Sequence, residues 1–194
     1  MANNIHFDFL APLYERFIRP PDATRLSELL ELPGNGWMLD AGGGTGRVAS
    51  LLCPLVERLV ISDLSFPMTQ QARVKGCVLP TQARVERLPF VDGRFDRILV
   101  VDAFHHFGDQ PGALGELVRV LAPGGRLVIE EPDIRRFAVK LIALAELLAL
   151  MNSRFRSPAQ MRAMVAAHGL DARVEIDGPT AWIIATKSPN GSQP

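Results

Sequence analysis

Apolar residues along this chain fall into two kinds of pattern that alternate from one end to the other. Short runs that are almost entirely apolar predict buried strands. The predicted strands are 37–39, 58–63, 82–85, 95–101, 126–130, 172–176 and 181–186. Stretches with apolar residues at helical spacing predict helices. The predicted helices are 7–18, 24–32, 45–56, 65–74, 111–121, 136–151 and 157–169.

The alternation of strands and helices indicates the α/β class. Near-continuous apolar strands separated by helices are typical of a parallel sheet that is covered on both faces. The last two strands are close in sequence and are joined by Asp177-Gly178-Pro179, so we expect them to pair antiparallel. The prediction is a doubly wound seven-stranded sheet, mostly parallel with an antiparallel last strand, with helices on both faces.

The composition is that of a globular protein and limits the classes of partner. Of 194 residues, 47% are apolar and 22% are charged, which fits a single domain over 1–187 and a disordered tail at 188–194. The formal net charge is zero, so no electrostatic argument favours a nucleic acid partner. No apolar stretch is long enough to span a bilayer and the N-terminus lacks a secretion signal, so we expect no stable membrane insertion and a cytoplasmic location.

Two cysteines, Cys53 and Cys77, are present. We expect two reduced thiols, because a disulfide scaffold would use more cysteines in a smaller chain. Neither cysteine has a metal-ligating partner nearby in the sequence, so no metal site is predicted.

Polar and glycine residues are concentrated where the predicted strands end. Ligands of parallel sheets bind beyond the carboxyl ends of the strands. The first strand is followed by the turn 40–46, Asp-Ala-Gly-Gly-Gly-Thr-Gly, where glycines let the backbone approach a ligand closely. The second strand ends at Asp63, where a carboxylate can accept hydrogen bonds from both hydroxyls of a ribose. This spacing predicts a nucleoside-binding site.

The class of nucleoside follows from the residues around the glycines. A dinucleotide fingerprint would place its third glycine at Arg47 or Ala49, and alanine can serve there, so that reading stays open. Asp40 precedes the glycines, however, and a carboxylate repels a pyrophosphate. A ligand with an ammonium and a sulfonium group fits better. A phosphate-binding P-loop is excluded because no Gly-Lys-Ser/Thr follows.

Taken together, the motifs resemble those of the class I methyltransferases that use S-adenosylmethionine, which share a Rossmann-like fold. The resemblance is closest to the type 11 subgroup that includes the ubiquinone and menaquinone biosynthesis methyltransferases. It runs from Phe7 to about Lys187. The matching segments, in the family's order, are Phe7-Asp8 with Ala11 and Tyr14-Glu15, 39–46, Asp63-Leu64-Ser65 with Met68, Glu86 with Leu88-Pro89-Phe90, Phe95-Asp96, 103–107, 119–126 and Glu131-Pro132.

The resemblance implies which residues hold S-adenosylmethionine and its product S-adenosylhomocysteine. This cofactor-binding set is Tyr14, Asp40, Ala41, Gly42, Gly44, Gly46, Asp63, Leu64, Val85, Glu86 and Asp102. The glycine turn would hold the methionine end, Asp63 the ribose and Leu64 the adenine, with Val85 and Glu86 near the base. Asp102 would line the sulfonium side and Tyr14 would close over the methionine. At Arg84 the family often has an aspartate that contacts the adenine amino group, and arginine offers no acceptor.

The acceptor side is expected around the loop after the fourth strand. There, His106 or His105 would remove a proton from the acceptor or orient it; alternatively, both histidines cap the loop and pack against the next helix. Glu131 would line the acceptor pocket or face solvent. Residues 1–32 and 133–157 would form the cap over the site. Within the second segment, 141–151 would be a buried helix, a homodimer face or a wall over an apolar acceptor pocket.

Three functions are consistent with these residues. The first is a methyltransferase that acts on a small apolar or aromatic molecule, quinone-like molecules included. The second is a protein of the same fold that binds the cofactor without transferring the methyl group. The third is a nicotinamide-dependent oxidoreductase, which the glycine spacing disfavours.

Overall fold

The computed structural model describes residues 22–137, 139–140 and 153–189. The predicted helix at 7–18, including Tyr14, lies outside these residues. So do most of the predicted helix at 136–151 and the tail from 190 onward. No helix within the described ranges is both long enough and apolar enough to cross a membrane.

Seven strands form one sheet in the order β3-β2-β1-β4-β5-β7-β6. Strands β1 to β5 pair in parallel, whereas β7 is antiparallel to both β5 and β6. The predicted fold class is confirmed, with the last strand inserted between β5 and β6. The strand bounds are β1 Gly34–Ala41, β2 Val56–Asp63, β3 Leu79–Gln82, β4 Phe95–Val101, β5 Leu121–Pro132, β6 Leu170–Asp177 and β7 Thr180–Lys187.

Helices cover both faces of this sheet. The described helices are α1 Ala23–Leu30, α2 Ala49–Leu52, α3 Phe66–Val74, α4 Gln110–Val120 and α5 Pro158–Ala167. Apolar residues of α1, α2 and α3 pack against one face, and those of α4 and α5 against the other. Polar caps begin the helices as the sequence predicts: Ser65 accepts a hydrogen bond from the amide of Met68, and Ser157 forms a capping box with Gln160.

Two predicted elements are shortened or displaced in the structure, and β1 and β5 extend beyond their predicted bounds at both ends. The predicted helix at 45–56 is reduced to α2 and the 3₁₀ turn Cys53–Leu55, because the glycine turn runs on to Val48 and β2 already begins at Val56. The weak strand predicted at 82–85 lies three residues earlier, as β3. Pro80 lies within it, which an edge strand tolerates because one side of its backbone needs no partner.

The expectation of two reduced thiols is wrong, because Cys53 and Cys77 form a disulfide with a Cα–Cα distance of 6.3 Å. Cys53 lies just before β2 and Cys77 just before β3. Since these strands are parallel neighbours, their starting ends lie at the same edge of the sheet. The sheet therefore brings together two residues that are 24 positions apart in the sequence.

Candidate active site

The turn after β1 brings its backbone very close to neighbouring groups. Ala41, at the end of β1, is fully buried, and Gly42 takes a φ of +77°, which L side chains rarely adopt. A Cβ on Gly42 would lie 2.6 Å from Cβ of Ala103, and a Cβ on Gly43 would lie 2.7 Å from the carboxylate of Asp40. Gly46 packs with similar closeness against Ile61. Glycine is therefore required here by space as well as by backbone conformation.

Asp40 packs against Gly43 of this turn, and only 1% of its surface is exposed to solvent. Its Oδ2 atom is buried and receives no hydrogen bond from any residue that the structure describes. Burial, followed by the charge of Asp63, raises the pKa of Asp40 to about 7, while Arg47 acts in the opposite direction. A carboxylate in this position is stabilised when a cation approaches it.

Asp63, at the end of β2, connects the glycine turn to helix α3. Its Oδ2 accepts a hydrogen bond from the amide of Gly44 at 2.9 Å, and its Oδ1 accepts one from the amide of Ser65 at 2.8 Å. These bonds fix the direction of the carboxylate, which is half-buried at the carboxyl edge of the sheet. Leu64, the next residue, is exposed at that edge.

Glu86, in the segment after β3, forms hydrogen bonds to the loop after β4. Its Oε1 accepts hydrogen bonds from the amides of Gly108 at 3.0 Å and Asp109 at 3.3 Å. Arg84 forms an ion pair with Glu86, at 3.6 Å between Nε and Oε2. Val85 is buried in the core. Arg84 thus lies beside the Glu86 carboxylate, at the end of the segment where the resemblance places the adenine.

The carboxyl ends of β4 and β5 carry two neighbouring acids. Asp102 follows β4 with a φ of +54°, and its amide donates to the carbonyl of Glu130 at 3.0 Å. A non-glycine residue at positive φ is uncommon and is often found where structure serves function. Burial is the largest cause of the raised pKa of Glu130, and the charge of Asp102 adds to it.

His105 forms a buried pair with Glu131. Its Nδ1 lies 2.6 Å from Oε2 of Glu131, and both residues are 3% exposed. The amide of Phe104 donates to Oε1 of the same carboxylate at 2.7 Å. Because a carboxylate accepts, this contact assigns the proton of His105 to Nδ1. Of the two predictions for Glu131, the solvent-facing one is wrong.

His106 is less buried than His105 and contacts a different partner. Its Nδ1 lies 3.1 Å from Oγ of Ser153, and its ring centroid lies 3.9 Å from that of His105. Burial and then the neighbouring His105 lower the pKa of His106 to about 3. His106 is therefore neutral at physiological pH.

Residues 153–156 are hydrogen-bonded to the loop at 103–107, which contains both histidines and is called the histidine loop below. The amide of Arg154 donates to the carbonyl of His105 at 2.7 Å, and the ring of Phe155 stacks on that of His105 with centroids 4.3 Å apart. The buried Gln110 donates to the carbonyls of both Phe104 and Arg154. No sequence pattern indicated these residues, because their polar groups become partners of the loop only after folding.

A family model described as a methyltransferase domain matches residues 39–129. The demethylmenaquinone methyltransferase of Thermus thermophilus is 34% identical over 168 residues, which covers 72% of this chain and 76% of the relative.

The chain belongs to the S-adenosylmethionine-dependent methyltransferases.

Two further comparisons agree with this methyltransferase assignment. A ubiquinone/menaquinone biosynthesis C-methyltransferase of Francisella philomiragia is 38% identical over 104 residues, covering 48% of this chain. The chain spans 42% of the length of that relative. A solved S-adenosylmethionine-dependent methyltransferase of Thermotoga maritima has a TM-score of 0.76 and 25% identity, covering 94% of this chain and 98% of that one.

The chemistry at the carboxyl edge of this methyltransferase fits its cofactor. S-Adenosylmethionine carries an ammonium and a sulfonium group, and the edge presents the carboxylates of Asp40, Asp63, Asp102 and Glu130. The buried Oδ2 of Asp40 lacks a protein donor among the described residues, and the glycine turn above it excludes side chains. Glu130 was not among the predicted site residues, although its position next to Glu131 at the end of a predicted strand was a usable signal.

Proposed function

We propose that this methyltransferase transfers the methyl group of S-adenosylmethionine to a small apolar or aromatic acceptor, and that quinone-like rings are the first class to test. The observation that supports the cofactor is the glycine turn packed against Asp40, whose buried Oδ2 receives no hydrogen bond from the described part of the chain. Asp63 is hydrogen-bonded to the same turn. The acceptor class is supported by the aromatic rings around the histidine loop and by the names of the relatives.

The cofactor-binding roles follow the order of the strands. Asp40, with Ala41 and the glycines 42, 44 and 46, would hold the methionine end, and Asp102 would line the sulfonium side. Asp63 would hold the ribose, since the two amide bonds fix its carboxylate at the carboxyl edge of the sheet. Leu64, Val85 and Glu86 would lie near the adenine.

The chemistry demands mainly alignment from the protein. When bound, the cofactor supplies a methyl group that its sulfonium already activates, so positioning of the acceptor accounts for much of the rate. His106 would orient the acceptor through a hydrogen bond. Because its pKa is lowered to about 3, it carries no positive charge that would repel the sulfonium. His105, paired with Glu131, would hold the loop in place.

Calorimetric titration with S-adenosylmethionine, S-adenosylhomocysteine and NAD tests the cofactor. We expect the two sulfur nucleosides to bind the wild type and Asp171→Ala, an exposed control, and to bind Asp63→Ala at least about tenfold more weakly, because charge-assisted hydrogen bonds are lost. Binding of NAD alone would favour the oxidoreductase and contradict the proposal.

Turnover tests the transfer itself. Release of S-adenosylhomocysteine would be followed with a dihydroxynaphthalene, a hydroquinone and an aliphatic amine as acceptors. We expect product with the aromatic acceptors, and a lower kcat with unchanged S-adenosylhomocysteine affinity in His106→Gln. Cofactor binding without turnover on any acceptor would instead support a cofactor-binding protein that does not transfer methyl groups.

A further inference from the structure

Glu130 is a half-buried carboxylate that only one described side chain engages. The indole N–H of Trp182 donates to its Oε2 at 3.1 Å. Among the residues that the structure describes, no other donor reaches the carboxylate, so Oε1 has no hydrogen bond. The guanidinium of Arg25 lies over the face of the Trp182 ring, 5.6 Å from its centroid, and helps to hold the indole in place. The carboxylate is thus oriented from one oxygen while the other stays available.

The position of Glu130 places it beside the methionine end of the cofactor site. Val101 pairs with Glu130 in the sheet, so Asp102 comes directly after the residue opposite it. The positive charge of Arg47, the residue after the glycine turn, acts to lower the pKa of both Asp40 and Glu130, so both acids feel the same cation. Carboxylates that are neighbours in a partly buried edge repel one another, and each further cation that approaches them relieves that repulsion.

The order of the strands gives the direction in which the cofactor extends. Four acids lie at or next to the carboxyl ends of strands that are consecutive neighbours in the sheet: Asp63 of β2, Asp40 of β1, Asp102 after β4 and Glu130 of β5. With the ribose at Asp63, the methionine portion extends toward β4 and β5. The buried Oδ2 of Asp40, to which no described residue donates, independently indicates that a cationic ligand group belongs in this region.

We propose that Glu130 is a specificity-determining residue whose Oε1 accepts a hydrogen bond from the α-ammonium group of the cofactor. This inference rests on the proposed function, since it assumes that the site binds S-adenosylmethionine. Glu130 thereby favours binding of adenosine sulfur compounds that carry the methionine or homocysteine portion over compounds that lack this portion. Trp182 is a positioning residue that fixes the rotamer of Glu130.

A ligand series tests this selection by calorimetry. S-Adenosylhomocysteine carries the amino acid, whereas 5′-methylthioadenosine shares the adenosine and sulfur but lacks the ammonium. In Glu130→Gln, whose amide oxygen can still accept from Trp182, we expect S-adenosylhomocysteine to bind about tenfold more weakly. We expect the affinity for 5′-methylthioadenosine to change less than about twofold, because that ligand has no group for Glu130 to bind.

Trp182→Phe provides a second variant that keeps an aromatic ring but removes the donor to Glu130. We expect a smaller loss, about threefold, for S-adenosylhomocysteine and none for 5′-methylthioadenosine. Equal losses for both ligands, or no loss for either, would overturn the role of Glu130. If the wild type binds neither ligand, the proposed function fails as a whole, so the two failures are distinguishable.

Discussion

Gly43 and Asp40 require the same space. A Cβ added to Gly43 would lie 2.7 Å from both Cγ and Oδ2 of Asp40, far inside van der Waals contact. The carboxylate is buried and cannot move aside into solvent. The absence of a side chain at position 43 is therefore what allows the acid to sit beneath the turn.

Gly43→Ala should displace the Asp40 carboxylate and weaken cofactor binding. We expect the affinity for S-adenosylhomocysteine, measured by calorimetry, to fall by about tenfold or more, because the ammonium loses its aligned partner. Gly115→Ala is the matched control, since its Cβ would make only an ordinary contact in helix α4. That variant should keep its affinity and gain up to about 1 kcal/mol of stability from helix propensity. Unchanged affinity in Gly43→Ala would show that Asp40 is not part of the site.

Asp40 should make the stability of the ligand-free protein depend on pH. Its folded-state pKa of about 7 lies above the ordinary 3.8, so the folded chain binds this proton more tightly than the unfolded chain. The free energy of unfolding should therefore decrease as pH rises from about 4 to about 7 and then level off. The full effect is at most about 4 kcal/mol. Urea denaturation across this range, compared with Asp40→Asn, measures it.

The same carboxylate should make cofactor binding depend on pH in the opposite sense. A cation prefers ionised Asp40, so the wild type should bind S-adenosylmethionine up to about tenfold more tightly near pH 8 than near pH 6. Asp40→Asn should bind more weakly and without this dependence, while being more stable than the wild type near pH 8. Parallel pH profiles of affinity in the two proteins would contradict the assignment.

Glu131→Gln should destabilise the fold by removing one of two buried acceptors. The carboxylate accepts from both Phe104 and His105, whereas glutamine offers only one acceptor oxygen. We expect a loss of about 1–3 kcal/mol in the free energy of unfolding. Glu57→Gln, an exposed carboxamide control, should change stability by less than about 0.5 kcal/mol. Equal stability of the two variants would mean that the buried pair contributes nothing.

The disulfide should stabilise the fold against unfolding. It closes a loop between residues 24 positions apart, for which the chain-entropy estimate is about 3 kcal/mol. Adding a dithiol reductant should lower the free energy of unfolding of the oxidised wild type by about that amount. Cys77→Ser should be insensitive to the reductant. Free thiols detected at both cysteines in the non-reduced protein would show that the bridge does not form.

The sequence by itself determined the elements whose signals are local. The alternation of apolar runs with amphipathic stretches predicted a seven-stranded sheet covered on both faces. This prediction was possible because the spacing of apolar residues within a strand or helix indicates which of its faces is buried. The glycine turn at 40–46 and Asp63 could also be predicted as site residues from local sequence, because each follows or ends a predicted strand. Ser65 and Ser157 identified helix starts because a cap bonds to amides only three residues away.

The tertiary structure alone decided the pairs that are distant in sequence. His105 meets Glu131 across 26 positions because β4 and β5 are neighbours in the sheet. Cys53 meets Cys77 because the neighbouring parallel strands β2 and β3 begin at the same edge. Strand order and register are set by the packing of the whole sheet, so no local pattern encodes them. The burial that raises the pKa of Asp40 and lowers that of His106 is likewise a property of the assembled fold.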